Sequence, residues 1–169
     1  MRVNKPTKII THTAVSAKHH THKDVASWHE QRWGTTYPEM RSKFGVMTGY
    51  HFVINWDGSW EQVRGIEEEG MHCLGQNTSS VGVCFMGNGD IHLPSQEQEE
   101  AWLEVYDIIG DKLPVFPHRK YSTKTCHGKL LSDDYFGRIV EARTKAQLIE
   151  KIQQMISYLQ VLLTQRRMK

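Results

Sequence analysis

The sequence of 169 residues predicts an α/β fold, a mixed central β-sheet flanked by helices. Three observations carry this reading. Apolar, β-branched runs alternate with helical patterns along the chain, which calls for parallel strands joined by helical connections. Two of the runs are separated by Asp57-Gly58, a hairpin turn signal that adds an antiparallel pair. The length suits one compact domain with a full core and little left over.

The elements follow in order. Lys8 to Thr11 reads as a first buried strand, with His12 at its end. His19-His20-Thr21-His22 reads as a polar loop; nothing near it supplies the fixed geometry of a metal site. Asp24 to Trp33 reads as a helix with Val25, Trp28, His29 and Arg32 along one side. Gly34 to Gly49 is a long connection with Pro38 inside it, of the length that often forms a lid or groove wall.

Tyr50 to Asn55 is a strand, aromatic and β-branched, and Ser59 to Arg64 returns as its partner. His51 faces opposite Tyr50 and is assigned a structural role. Gly65 to Ser80 is a second irregular segment. Val81 to Met86 is another buried strand, with Cys84 as a small buried side chain. Ser95-Gln96-Glu97-Gln98 is a capping box opening a helix to about Lys112, with Trp102, Val105, Ile108 and Ile109 as its apolar side. Pro114 ends that helix, and a short strand, Val115-Phe116, delivers His118.

The last segment, from Thr144 to about Arg167, differs in character. Leu148, Ile152, Met155, Leu159 and Leu162 alternate spacings of four and three, and Ile149, Ile156 and Leu163 widen the stripe. This is a long amphipathic helix ending in the basic tail Arg166-Arg167-Met168-Lys169. Packing across the domain is the favoured reading for it, ahead of self-association through a coiled-coil seam, with anionic-lipid contact as a further alternative. The expected organisation is one domain over residues 1–143 and, over residues 144–169, a helix packed on it or extending from it.

Composition excludes some classes. A net charge of +2 is too small to argue for nucleic acid. No stretch is long and apolar enough to span a bilayer, and the first residues lead into no apolar signal region. Three cysteines make an odd set without disulfide spacing, which suits synthesis in a reducing compartment.

The run Pro117 to Cys126 concentrates the chemistry. It holds His118, Lys124 and Cys126 on one short non-helical segment. Two imidazoles, His12 and His118, with one thiolate, Cys126, can hold zinc and leave a fourth position open. Lys124, two residues before the cysteine, projects to the same side if the segment is extended. Read alone, these residues serve equally as hydrogen-bonded structural side chains. Tyr50 is either a packed aromatic or a donor to a developing oxyanion. His72 is either a surface histidine or a substrate contact.

Taken in order, the motifs resemble a known family. Thr11-His12-Thr13-Ala14-Val15-Ser16, Trp28-His29, and Gly49 to Ile54 followed by Asp57-Gly58 are similar to its first strand, first helix and central hairpin. His72, Gly75 and Asn77 followed by Val81 to Gly87, and finally His118, Lys124 and Cys126, complete the match over residues 8 to 136. The family is the zinc-dependent N-acetylmuramoyl-L-alanine amidases of type 2, which includes small bacteriophage lysozyme-amidases and animal peptidoglycan recognition proteins. The resemblance implies one zinc ion on His12, His118 and Cys126, assistance from Tyr50 and Lys124, and a substrate groove lined by His72 and Asn77. It implies hydrolysis of the amide between N-acetylmuramic acid and L-alanine in bacterial peptidoglycan. The implied setting is a phage endolysin made in the host cytoplasm and released to the wall at lysis. A non-hydrolytic wall-binding module and a cytoplasmic muropeptide-recycling amidase are the alternatives. Two departures stand out: His127 follows the cysteine where the family usually has proline, and the C-terminal helix is longer than in the small phage members.

Overall fold

The computed structural model describes residues 2–110 and 112–167, with side chains as far as Gln160. Five strands form one sheet: β1 (Ile9–Thr13), β2 (Phe52–Ile54), β3 (Trp60–Gln62), β4 (Val81–Phe85) and β5 (Val115–Pro117). Three helices accompany them: α1 (His22–Trp33), α2 (Gln96–Ile109) and α3 (Tyr135–Arg167). The sheet order is β3-β2-β4-β1-β5. Only β2 and β3, the hairpin around Asp57-Gly58, run antiparallel; β4 pairs parallel with both β2 and β1, and β1 parallel with β5. The mixed sheet expected from the sequence is therefore present, with its elements in the expected order.

Local chemistry explains the helix starts. Thr21 caps α1 and Asp24 reaches back to the Thr21 backbone, so the polar histidine loop leads into a capping box. Ser95 and Gln98 form the box that opens α2. Gln98 is also buried, and its amide donates to the carbonyls of Ile54 and Met86 at 3.3 and 3.0 Å, tying the helix to the ends of β2 and β4. Trp102 is buried against Phe85 and Phe136, its indole N–H donating to the Phe136 carbonyl at 3.0 Å. Phe85 and Phe136 stack with ring centroids 4.1 Å apart.

Several faces differ from their sequence reading. On α1 only Val25 is buried; Trp28 is 38% exposed and Arg32 lies in solvent. Ile108 is 49% exposed, so the buried side of α2 runs through Ala101, Trp102, Val105 and Ile109 instead. The long connection after α1 contains a short 3₁₀ turn, Pro38–Met40. The last helix starts at Tyr135, ahead of the expected Thr144, because Phe136 serves the core of the first unit.

The chain divides into two compact units, residues 1–137 and 138–169. The second is helical, and its apolar stripe from Leu148 to Leu159 is exposed. The side chains of Leu162 and Leu163 and of the basic tail lie outside the described residues. No helix among the described residues is long and apolar enough to cross a membrane.

Two buried polar groups organise the irregular segments. Arg64 is fully buried, and its guanidinium donates to the carbonyls of Met40, Thr48 and Glu69, with Glu68 at 4.0 Å. It thus fastens the 34–49 connection to the 65–80 segment. His51 is also fully buried. Its Nδ1 accepts from the Gly82 N–H at 3.0 Å, which leaves the proton on Nε2 for the Glu68 carbonyl at 3.0 Å. Burial holds His51 down at about 4.

Arg64→Leu should lower stability in urea melts by about 3 kcal/mol or more, because three carbonyls, those of buried Met40 and Thr48 among them, lose their donor. His51 sets a pH test. Its folded value lies below the ordinary histidine value of about 6.5, so the unfolded chain takes up the proton first as pH falls. Its contribution is complete above about pH 6.5 and is lost progressively toward pH 4, on the order of 3 kcal/mol over the window. Urea melts from pH 7.5 to 4.5 should show this slope, and His51→Gln should flatten part of it.

Candidate active site

β1 lies between β4 and β5, and all three run parallel, so their carboxyl ends share one edge of the sheet. His12 sits at that end of β1, 2% exposed. His118 follows directly after β5 in a short 3₁₀ turn. The loop beyond returns Cys126 to the same place. Its Sγ lies 3.7 Å from His12 Nδ1 and 3.9 Å from the Thr13 carbonyl. The rings of His12 and His118 are 4.5 Å apart. One donor atom from each of His12, His118 and Cys126 lies within 4.8 Å of the others, the one such cluster found among the described residues. Tetrahedral zinc with bonds of about 2.0–2.3 Å holds its ligand atoms roughly 3.3–3.8 Å apart, so this donor set fits zinc with little closing. The clustered histidines at positions 19–22 are not part of it.

The second nitrogen of His12 is also placed. Nε2 lies 3.0 Å from His72 Nδ1, and His72 Nε2 lies 3.4 Å from Ser80 Oγ. Ser80 Oγ donates to the Gln76 carbonyl at 2.7 Å. A carbonyl only accepts, which fixes the direction of the whole chain: Ser80 gives its proton to Gln76, His72 donates to Ser80, and His12 donates Nε2–H to His72. His12 Nδ1 is then the free lone pair, and it is the atom facing Cys126. Gly82 makes room for this arrangement, since a Cβ there would meet the His72 ring at 2.5–2.8 Å. His72 thus lines the groove while orienting His12, a relation that sequence spacing could not reveal across 60 residues.

The electrostatics suit metal ligation by neutral imidazoles. Burial, reinforced by His72 and His118, holds His12 well below the ordinary histidine range. Burial and the Lys124 charge lower His118 as well. Burial pushes the Cys126 thiol up to about 11, opposed by the Thr13 backbone and Lys124. A bound cation reverses that preference, because ligation requires the thiolate. Tyr50 is raised well above the usual phenol range, mainly by burial and then by Cys84 and Cys126, so it stays a protonated donor. Its ring lies 5.1 Å from that of His12.

A groove of about 770 Å³ reaches this cluster at His118. His118 and Tyr121 to Lys124 form one side, Met71 to Leu74 with Asn77 another, and Trp33, Tyr37 and Met40 a third. The long connection therefore contributes a wall, as expected. Lys124 is exposed on the groove. Asn77 lines it too, but its Oδ1 accepts the backbone N–H groups of His72 and Cys73 at 3.0 and 2.9 Å and so shapes the loop carrying His72. Sequence reading missed Arg119, which holds the site loop through the carbonyls of Gly128 and Leu131 and an ion pair with Asp133.

Comparison with known proteins agrees with this geometry. Residues 2–129 match the family model described as N-acetylmuramoyl-L-alanine amidase. An endolysin of Enterobacteria phage K11 is 36% identical over 113 residues, covering 62% of this chain and 67% of that protein. Peptidoglycan-recognition protein 2 of Holotrichia diomphalia is 40% identical over 64 residues, 38% of this chain and 34% of that one. Among solved structures, the N-acetylmuramoyl-L-alanine amidase LysC from Clostridium intestinale URNW superposes with a TM-score of 0.62 at 21% identity, covering 88% of this chain and 90% of that one. Bumblebee PGRP-SA gives a TM-score of 0.64 at 23% identity, with 78% and 81% covered. These two likenesses concern the fold, whereas the family match runs through β1, the hairpin, β4 and the His118–Cys126 loop together. A histidine at the end of β1, a second after β5 and a cysteine on the returning loop are thus features of a chain that belongs to the N-acetylmuramoyl-L-alanine amidase family.

Proposed function

We propose that this chain is a zinc-dependent, endolysin-like peptidoglycan hydrolase that cleaves the amide between N-acetylmuramic acid and L-alanine. The observation that carries the proposal is the convergence of His12, His118 and Cys126, with His118 lining a groove that also bears Lys124. The family match and the likeness to phage endolysins support the reaction and its lytic setting.

His12, His118 and Cys126 would hold the metal. The chemistry that zinc supplies when bound is Lewis acidity toward a carbonyl oxygen and a water made acidic to a pKa of roughly 7. The protein's own groups do the rest. The groove orients the stem peptide so that the scissile amide lies over the cluster. Lys124, exposed on that groove, donates to the oxyanion as the carbonyl becomes tetrahedral. Tyr50, kept protonated by burial, is a second donor on the His12 side. His72 keeps the Nε2 proton of His12 in place and so presents Nδ1 to the metal position.

The test is digestion of purified peptidoglycan, read as loss of turbidity and as newly freed L-alanine amino groups. Chelation should abolish release, and added zinc should restore it. Cys126→Ser should lose both bound metal and activity; full activity in either condition would sink the zinc mechanism. Wall pull-down without released amino groups would favour a non-hydrolytic binder. Lys124→Ala should keep one zinc per chain while kcat falls about 10²–10³-fold, the typical cost of one oxyanion donor.

A further inference from the structure

His127 stands where the resemblance calls for proline, directly after Cys126. It is 1% exposed, and both ring nitrogens are engaged. Nε2 lies 3.2 Å from the Ser132 carbonyl, and Nδ1 lies 2.7 Å from Thr11 Oγ1. The carbonyl can only accept, so Nε2 carries the proton and Nδ1 offers its lone pair. Thr11 Oγ–H therefore donates to Nδ1, and its longer approach to the Phe116 carbonyl, 3.3 Å, is secondary. The ring also packs edge-on against Phe136, which stacks on Phe85 in the core.

The positions of these partners matter. Thr11 immediately precedes His12, and His127 immediately follows Cys126, so one hydrogen bond links the direct neighbours of two candidate ligands. The two ends differ in rigidity. Thr11 lies in β1, paired on both sides by β4 and β5. Cys126 lies in a loop without strand partners. That loop is held by Arg119 from within and by the close approach of Gly128 to Gly89, where a Cβ on Gly128 would meet the Gly89 backbone at 2.3–2.4 Å. The Thr11–His127 bond, at 2.7 Å, fastens it to β1 beside the longer contact of the Cys126 thiol with the Thr13 carbonyl.

We propose that His127 is a positioning residue: a neutral imidazole strut between Thr11 and Ser132 that sets the spacing of His12 and Cys126, and with it the affinity for zinc. It serves where a proline would otherwise stiffen the turn. The proposal rests on the zinc reading given above.

Thr11→Val, Thr11→Ser, His127→Phe and the Val/Phe double variant test it. Thr11→Val keeps shape and strand preference but removes the donor; His127→Phe keeps a ring against Phe136 but removes both hydrogen bonds. Zinc affinity is measured by competition with a chromophoric chelator, ligand geometry by the absorption spectrum of the cobalt-substituted protein, and stability by melting with and without metal. Thr11→Val and His127→Phe should each weaken zinc about 10–100-fold, the usual effect of losing an outer partner of a ligand. The cobalt bands should shift, and the zinc-dependent part of the melting temperature should shrink. Thr11→Ser should keep wild-type affinity, and the double variant should be no weaker than the weaker single one, because both act through one bond. Wild-type affinity and spectra in both single variants overturn the strut, as do equal losses of stability with and without metal, or losses that add in the double variant. If His127→Phe does not fold, Thr11→Val decides alone. Absence of zinc binding by the wild-type chain overturns the zinc reading itself, and the strut with it.

Discussion

The site depends on the parallel pairing of β1 with a neighbour on each side. Every backbone N–H and C=O in a buried strand requires a partner, and β1 finds them on β4 and β5. That double pairing makes β1 an interior strand, as β2 and β4 are. It also puts the carboxyl ends of β1 and β5 at one edge, so a histidine ending the first and a histidine following the last come together without any local sequence relation between them. The third donor arrives on a loop, and a loop needs other means of being held. Arg119, the Gly89–Gly128 approach and the contact between His127 and Thr11 supply them.

The groove walls are irregular and face a different physical problem. A segment without strand or helix pairing leaves carbonyls that must be satisfied if it is buried. Arg64 answers this with a planar donor fork reaching three carbonyls from two segments. Desolvation alone would make a buried guanidinium costly, and the fixed carbonyl dipoles with nearby Glu68 offset that cost. The result is a fixed support for the segments carrying Met40 and Met71, both of which line the groove.

Burial also sets the protonation of the site. His12, His72 and His118 are all driven toward the neutral form, chiefly by desolvation. Once neutral, each imidazole has one donor and one acceptor, and the hydrogen-bond chain from His12 to Gln76 assigns those of His12 and His72. The same burial keeps Tyr50 a phenol. Desolvation thus leaves imidazoles with a lone pair ready for a metal and a phenol that does not ionise, beside a Cys126 thiol that burial keeps protonated.

Much of this was legible in the sequence, for a definite reason. Element order, the Asp57-Gly58 hairpin and the Ser95–Gln98 box are short-range features, written in residues that touch through a few bonds. The residue types His12, His118, Lys124 and Cys126 announced a chemistry, and their order tied it to a family. Faces and partners were less legible. Periodicity marks which side of a helix is apolar, yet Trp28 and Ile108 are exposed because the neighbouring elements leave no surface there to cover them. The start of α3 at Tyr135 was hidden because Phe136 answers to the core, not to the repeat that begins at Leu148. The contacts of His72 with His12, of Arg64 with Met40 and of His127 with Thr11 span 60, 24 and 116 residues. The sequence by itself determined which groups were available and which strands would form. Only the tertiary structure decided which groups meet, because strand pairing and the burial of polar atoms select partners by position in space, at separations that carry no local signal.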